Sequence, residues 1–295
     1  MISETELILT PKGRIYHLDL APDEIPDTII TVGDPGRVKQ VSNYFDRILL
    51  KRVHREFVSH LGELGSEKLM VISTGIGTDN IDIVINEIDA LVNIDFKTRL
   101  VKKEKKSLRI IRIGTSGTIR PDIEIDSLLI SKYAIGLDAL MGYYQQNIKK
   151  IPRLIIDQIN SVEYKLPENA YWGRADKSLL ELFSSPHFRQ GITITSPGFY
   201  GPQGRSLRMP STNFNVPVFQ KVKYEGLKIT NLEMETAAIY AMANSLGHKA
   251  ISLNAILANR IENKFSKNPT LIIEKLIQIS LDSLPKKNSI FTPGP

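Results

Sequence analysis

The chain has 295 residues, with 38 lysines and arginines against 32 acidic residues, and 42% of it is hydrophobic, a composition that can bury a core and that excludes disorder as the main state. It contains no cysteine, which excludes disulfides, thiolate metal centres and a cysteine nucleophile. Because no apolar run approaches the roughly 18 residues of a membrane span, and because Glu4 and Glu6 do not suit a signal peptide, we expect a soluble, cytoplasmic protein with no membrane partner.

The basic surplus is small, at a net charge of +6. Its densest stretch, Lys102, Lys103, Lys105 and Lys106, is interrupted by Glu104 and has no aromatic residue between the lysines. Nucleic-acid sites usually interleave the two residue types. We therefore interpret this stretch as a solvated loop, expect no nucleic-acid partner, and regard the charge as suited to an enzyme that binds small anions in a few places.

Short β-rich runs alternate with helical periodicity along the chain. Several of the runs are apolar almost throughout, as in strands that are covered on both faces. The predicted strands are 28–32, 68–73, 108–113, 128–135, 191–195, 227–232 and 249–258.

Three helices are predicted between and after these strands. Apolar residues recur at three- and four-residue spacing over 81–92. The alanine-rich stretch 234–246 ends at Gly247, a typical helix stop, and a last helix over 269–284 ends before Pro285.

This alternation predicts an α/β fold, with a central mixed β-sheet covered by helices in three layers. We expect one domain over 1–295. The segment 142–189 is the least periodic and contains three prolines, so we interpret it as a lid or insertion. The last residues, 286–295, are expected to form a frayed tail.

Two glycine-containing segments follow predicted strands. Val-Gly-Asp-Pro-Gly-Arg at 32–37 could direct backbone N–H groups and an arginine at an anion, although an ordinary tight turn has the same composition. Arg-Ile-Gly-Thr-Ser-Gly-Thr at 112–118 is interpreted as a strand that leads into a hydroxyl-rich turn. A plain strand end is equally compatible, but a buried arginine in that strand needs a partner.

Two further segments carry polar groups that could bind a nucleoside. Phe-Tyr-Gly-Pro-Gln-Gly-Arg at 199–205 combines a ring, an amide and a planar cation, which together can bind a flat heterocycle; a surface loop is the alternative. Asn-Leu-Glu-Met-Glu at 231–235 places two carboxylates where a strand gives way to a helix. They could accept hydrogen bonds from sugar hydroxyls, or could simply stabilise the helix N-terminus.

In this order, with His-Arg-Glu-Phe at 54–57 and Ser-Thr-Gly-Ile-Gly at 73–77 between them, the four segments resemble the nucleoside phosphorylase-I family. The resemblance covers about 15–284, and the 199–205 loop is most like that of its uridine phosphorylases. It implies reversible phosphorolysis: phosphate attacks C1′ of uridine and releases uracil and ribose 1-phosphate, with phosphate as co-substrate and no cofactor.

The alternatives within the family are a purine nucleoside phosphorylase and a nucleosidase that uses water; a more distant one is a non-catalytic nucleotide-binding module. Purine-cleaving relatives carry a Ser-Asp pair after the last strand, where this chain has Ala-Asn-Arg at 258–260. A nucleosidase has no use for three arginines at a phosphate site. These departures favour the pyrimidine phosphorylase.

The resemblance also implies the site residues. Arg55 and His17 would come from a neighbouring subunit, so we expect at least a homodimer, and family members also form hexamers. No metal is expected, and Asn80 stands where a serine helps to bind an intersubunit potassium ion in some members, which leaves that ion in doubt. The implied phosphate ligands are Gly33, Arg37, Arg55, Arg112 and Thr115; the base ligands are Ser116, Gly117, Phe199, Gln203 and Arg205; the ribose ligands are His17, Glu233, Met234 and Glu235; and the catalytic set is Arg37, Arg55, Arg112, Arg205 and Glu235.

Overall fold

The structure of the protein is a computed structural model that describes residues 1–145, 150–160, 164–211, 214 and 216–285. The predicted frayed tail, 286–295, lies outside the described residues. The elements of the first half are, in chain order, β1 (Thr28–Val32), α1 (Pro35–Ser42), β2 (Arg47–His54), β3 (Phe57–Leu64), β4 (Glu67–Ser73), α2 (Thr78–Asn93), β5 (Ile94–Asp95), β6 (Leu100–Val101), β7 (Arg109–Thr118) and β8 (Leu128–Gly136).

The second half alternates helices and strands more regularly. One of its helices, Thr236–Leu246, ends where Gly247 adopts a left-handed conformation with φ of 82°, which glycine reaches without strain. The elements are α3 (Arg153–Ile159), β9 (Tyr171–Arg174), α4 (Lys177–Phe183), β10 (Phe188–Thr195), α5 (Val216–Lys221), β11 (Lys223–Tyr224), β12 (Leu227–Glu233), α6 (Thr236–Leu246), β13 (Lys249–Asn259), β14 (Lys264–Phe265) and α7 (Pro269–Asp282).

One mixed sheet of 12 strands, in the order β11-β12-β10-β8-β13-β7-β1-β4-β3-β2, organises the chain, with β14 paired to β13 and β9 to β8. Since β12 also pairs with β7, the strands β7, β13, β8, β10 and β12 close into a ring. Helix α1 packs against β3 and β4, α6 against β8, β9 and β13, and α7 against β7 and β13. The predicted α/β fold, a mixed sheet covered by helices, is confirmed.

Every predicted strand and helix is present, but the predicted turn after 113 is wrong. Strand β7 runs on to Thr118 because its last residues keep partners on two sides: Gly117 and Thr118 pair with Ala258 and Asn259 of β13, and also with β12. The hydroxyl-rich stretch is therefore strand, held rigidly from both sides.

The hairpin of β2 and β3 escaped prediction. Strand β2 lies at the edge of the sheet, and along it exposed residues alternate with half-buried ones. Edge strands often carry charged side chains, which discourage pairing with other chains. In Arg-Ile-Leu-Leu-Lys-Arg-Val-His the arginines and the lysine interrupt the apolar alternation by which a strand is recognised.

The segment 142–189, interpreted above as a lid or insertion, contains α3, β9 and α4. Strand β9 pairs with β8, and its Tyr171 and Trp172 are buried, so this part of the segment belongs to the sheet. Residues 146–149 and 161–163 lie outside the described residues.

The parallel strands β4, β1, β7 and β13 are neighbours in the sheet. Their carboxyl ends therefore meet at one edge, where α/β sheets usually bind ligands. The segments 32–37, 73–77, 112–118 and 258–260, which are far apart in sequence, are brought together there.

Candidate active site

A cavity of about 770 Å³ opens at this edge of the sheet. It is lined by segments from the ends of β1, β4, β7, β12 and β13 and by the loop after β10. All predicted site residues except His17 and Arg55 line it: Gly33, Arg37, Arg112, Thr115, Ser116, Gly117, Phe199, Gln203, Arg205, Glu233, Met234 and Glu235.

Arg112 is buried between two carboxylates. Its Nη2 lies 2.6 Å from Glu235 Oε2 and 3.2 Å from Glu233 Oε2, and its Nη1 donates to Ser252 and Asn254. Burial alone would lower the pKa of Arg112, but the two carboxylates outweigh it and raise that pKa. The arginine that the sequence placed in an apolar strand thus has its partners, and its charge is neutralised within the protein.

The close approach of Arg112 explains the glycine that follows it by two residues. A Cβ atom at Gly114 would lie 1.9 Å from Arg112 Nη1, which no side chain can occupy. Because Gly114 has no side chain, the guanidinium of Arg112 can lie along its own strand and reach Glu235.

Glu233 is held by the protein rather than left free. Its Oε1 accepts from the Thr195 hydroxyl at 2.5 Å. Its Oε2 accepts from the Glu235 amide at 2.9 Å and from the amide and hydroxyl of Thr236 at 2.9 and 2.8 Å. These last bonds satisfy N–H groups at the start of α6, which is the helix-stabilising alternative considered above.

Glu235 keeps acceptor capacity on the cavity side. Its Oε1 accepts from the Gly77 amide at 2.9 Å and its Oε2 from Arg112. Each carboxylate oxygen has about two acceptor positions, so one on each oxygen remains for a ligand. Burial raises the pKa of Glu235, against the opposing effect of Arg112.

Arg37 differs from Arg112, because its guanidinium is buried with little compensation. It is 8% exposed, its Nη1 makes one long bond of 3.4 Å to the Ile113 carbonyl, and its Nε has no hydrogen-bond partner among the described residues. Burial, followed by the charge of Arg112, lowers the pKa of Arg37. An under-bonded buried cation is costly, and an anion bound in the cavity would satisfy it.

The loop after β10 arranges its three functional side chains around one another. Arg205 lies over the Phe199 ring, 4.0 Å from the ring centre, and its Nη1 donates to Gln203 Oε1 at 2.5 Å. Burial, with the nearby charge of Arg260, lowers the pKa of Arg205 to about 10. With Oε1 engaged, Gln203 presents its amide N–H groups, and Arg260 holds the loop by donating to the Gln203 backbone carbonyl at 2.6 Å.

Ser116 has a defined hydrogen-bond direction. Asn231 Nδ2 donates to its hydroxyl at 2.9 Å, while Asn231 Oδ1 accepts from Thr193 and Thr230. One lone pair of Ser116 is thus engaged from the protein side. Its proton is available to a ligand in the cavity.

His17 and Arg55 lie together, away from the cavity of their own chain. Arg55 Nη2 donates to the Tyr16 hydroxyl at 3.1 Å, and its guanidinium lies 5.2 Å from the Tyr16 ring centre. His17 is adjacent to Tyr16 and contacts Glu87. Arg55 is exposed and has a positive φ of 54°.

Several lining residues were not predicted. Phe265 on β14 is 63% exposed and Ile76 is 66% exposed, although both line the cavity. A lone aromatic residue after a charged turn gives no signal in the sequence, because only the pairing of β14 with β13 brings it there. The other unpredicted lining residues are Asp34, Pro35, Glu56, Gly75, Asn80, Leu232, Leu257 and Ala258.

Asn80 bears on the potassium ion left in doubt above. Its Nδ2 donates to the Ile76 carbonyl at 3.4 Å, so its Oδ1 is the atom that could ligate a cation. Among the described residues, His, Asp and Glu side chains do not gather into a metal-binding group of three. None of the helices described combines the length and apolar character needed to cross a bilayer.

Comparison with known proteins places this chain in a family. Residues 27–279 match the model of the phosphorylase superfamily, and the chain belongs to that superfamily. It is 31% identical to a uridine phosphorylase of Thermococcus kodakarensis over 88% of this chain and 82% of that protein. It is 26% identical to a DeoD-type purine nucleoside phosphorylase of Oceanobacillus iheyensis, over 92% and 99% of the two chains.

A solved structure is also similar. The nucleoside phosphorylase of Trypanosoma brucei, described as showing uridine phosphorylase activity, superposes with a TM-score of 0.85 at 29% identity, covering 94% of this chain and 99% of that one. The family predicted from the motifs is confirmed.

Proposed function

We propose that the protein is a nucleoside phosphorylase, a pentosyltransferase that converts uridine and inorganic phosphate into uracil and ribose 1-phosphate. The observation that carries this proposal is the under-bonded, buried Arg37 in the same cavity as the ligand-facing carboxylate Glu235. The first suits an anion and the second suits sugar hydroxyls. The relatives named for uridine cleavage support the choice of nucleoside.

The phosphate would bind at the carboxyl ends of β1 and β7. Arg37 supplies a cation with little internal compensation, and Thr115 supplies a hydroxyl donor. Arg112 holds Glu235 in place and offers N–H donors to the phosphate. Its own positive charge is already balanced by Glu233 and Glu235. Arg55 of a neighbouring subunit completes the set in our proposal, since it does not line the cavity of its own chain. Holding phosphate beneath C1′ makes the attack effectively unimolecular, an advantage of up to about 7–11 kcal/mol.

The sugar and base would lie between Glu235 and the loop after β10. Glu235 accepts hydrogen bonds from the ribose hydroxyls through its free acceptor positions. As the glycosidic bond breaks, the ring becomes oxocarbenium-like and negative charge collects on the uracil oxygens. Arg205 and the Gln203 amide stabilise this leaving group, Phe199 packs on the ring, and Ser116 donates its proton at the pocket wall.

The test is cleavage of uridine, thymidine, inosine and adenosine by the purified protein, each with and without inorganic phosphate, followed by ultraviolet absorbance. We expect loss of uridine only when phosphate is present. Cleavage without phosphate would favour a nucleosidase, and phosphate-dependent cleavage of inosine would favour the purine enzyme. Absence of turnover with all four nucleosides would favour a nucleotide-binding module.

The purine alternative has support from the Oceanobacillus relative. Against it stands Asn259, which donates through Nδ2 to the carbonyls of Arg120 and Ile123 and accepts from the amide of Ile261. This amide is committed to the backbone and cannot donate the proton that a purine leaving group needs at N7. A homodimer or larger assembly and a cytoplasmic location complete the proposal.

A further inference from the structure

We propose that Glu87, on α2, is a positioning residue that fixes His17 as a hydrogen-bond acceptor for the 5′-hydroxyl of a nucleoside bound in a neighbouring subunit. The inference rests on the proposed function and on the resemblance, which implies that His17 reaches the 5′-hydroxyl of a sugar in the neighbouring subunit. It adds a residue far from the cavity motifs to the recognition of the sugar.

Glu87 binds the ring and the backbone of the same short segment. Its Oε1 lies 2.6 Å from His17 Nδ1, and its Oε2 accepts from the Leu18 amide at 2.9 Å. Both oxygens also lie 3.1 Å from the His17 amide. The side chain of Glu87 is 13% exposed and that of His17 is 30% exposed, so the bond is shielded on the Glu87 side while the histidine ring reaches solvent.

This contact determines which ring nitrogen carries the proton. An ionised carboxylate can only accept, so Nδ1 donates to it, and in the neutral ring the lone pair then lies on Nε2. Among the described residues Nε2 has no hydrogen-bond partner. The exposed edge of the ring is therefore an acceptor, which is what a sugar hydroxyl requires of it.

Other contacts keep the ring from turning. His54 Nδ1 donates to the His17 carbonyl at 2.9 Å, and the Tyr16 ring meets the His17 ring edge-on, with centres 5.0 Å apart at 83°. Since Arg55 bonds to the same Tyr16, both residues expected to serve the neighbouring site are held in one cluster. The bonds from the His17 and Leu18 amides to Glu87 are enough to anchor this segment. The additional bond to the His17 ring therefore suggests a role for the orientation of the ring.

The experiment compares the kcat/KM of uridine with that of 5′-deoxyuridine, which lacks the hydroxyl, in the full-length protein. Four proteins are measured: the wild type, Glu87→Gln, His17→Ala and the double variant. The glutamine is nearly isosteric, but its amide group would donate to Nδ1 and reverse the tautomer. We expect Glu87→Gln to lower the uridine preference about two- to tenfold, the range of one net hydrogen bond, with no further loss when it is added to His17→Ala.

Asp89→Asn is the matched control, because it makes the same carboxylate-to-amide change on α2, where Asp89 accepts from Asn93 and lies 3.1 Å from His248 rather than contacting His17. We expect it to leave the preference unchanged. An unchanged uridine preference in Glu87→Gln, even if both nucleosides are cleaved more slowly, would overturn the inference while leaving the proposed function intact. A wild type that cleaves neither nucleoside would overturn both.

A second measurement does not require a folded variant. In wild-type protein labelled with ¹⁵N-histidine, NMR at neutral pH should show His17 protonated on Nδ1 and unprotonated on Nε2. A proton on Nε2 would overturn the inference.

Discussion

Replacing Arg37 by methionine tests the assignment of the anion site most directly. In the free protein the guanidinium is 8% exposed and has one bond of 3.4 Å to the Ile113 carbonyl, with Nε unpartnered among the described residues. The substitution therefore removes almost no bonding from the fold. We expect it to weaken phosphate binding strongly. The free energy of unfolding should stay nearly the same or increase, because an apolar side chain replaces a buried charge.

The size of the effect follows from the bonds that phosphate would form. A hydrogen bond between charged partners contributes about 1.5–3 kcal/mol, and each 1.36 kcal/mol is tenfold, so the KM for phosphate should rise about ten- to a hundredfold. Arg112→Met should behave differently, because it leaves Glu233 and Glu235 buried without their cation. Breaking such a group costs about 3–5 kcal/mol of stability.

Two assays separate these effects. Initial rates at saturating uridine, over a range of phosphate concentrations, give the KM for phosphate. Urea denaturation at one fixed protein concentration, with and without phosphate, gives the stability and the gain from the ligand. Lys39→Met is the matched control, since it removes an exposed cation from the same helix, α1, and should change neither quantity.

The assignment is refuted if Arg37→Met leaves the KM for phosphate within twofold of the wild-type value. It is equally refuted if Arg37→Met and Arg112→Met lose the same stability, because Arg37 would then have structural partners. If the KM for phosphate rises as much in Lys39→Met as in Arg37→Met, the effect comes from the overall positive charge of the protein and not from a direct contact between Arg37 and phosphate.

Three further outcomes are expected. Arg205→Ala should lower kcat more than it raises the KM for uridine, because stabilising the departing base is worth about 2.7–4 kcal/mol; steady-state rates with an unchanged kcat would contradict this. Mixing Arg37→Ala and Arg55→Ala subunits should restore part of the activity, since some hybrid sites would hold both arginines, and no recovery after verified subunit exchange would place Arg55 outside a shared site. Glu233→Gln should destabilise the fold by about 1–3 kcal/mol in urea denaturation, because an amide cannot accept all the bonds that Thr195 and the start of α6 donate; an unchanged midpoint would argue against the capping role.

The fold could be predicted because it rests on local patterns of apolar residues, and the resemblance of four segments to a known family implied the site residues. Gly33, Thr115 and Glu233 lie on or directly after apolar strands, so recognising the strand also locates the residue. The contact between the Gly77 amide and Glu235 joins positions 158 residues apart, and no spacing rule predicts it.

The remaining differences have physical causes. Arg112 could be recognised as needing a partner, but the sequence did not show that both Glu233 and Glu235 would supply it, since that depends on how β7 and β12 meet in the ring. The extension of β7 to Thr118 comes from pairing on both sides, which overrides the turn tendency of its glycines.

Helix α2 is anchored at two places that serve different purposes. The Gly77 amide, just before its first turn, holds Glu235, and Glu87 holds His17; ten residues of helix separate them by about 15 Å. The same helix thus contacts the carboxylate of its own cavity and the histidine proposed for the next one. If His17 serves the neighbouring site, a substitution that displaces α2 would disturb sugar contacts in two cavities at once.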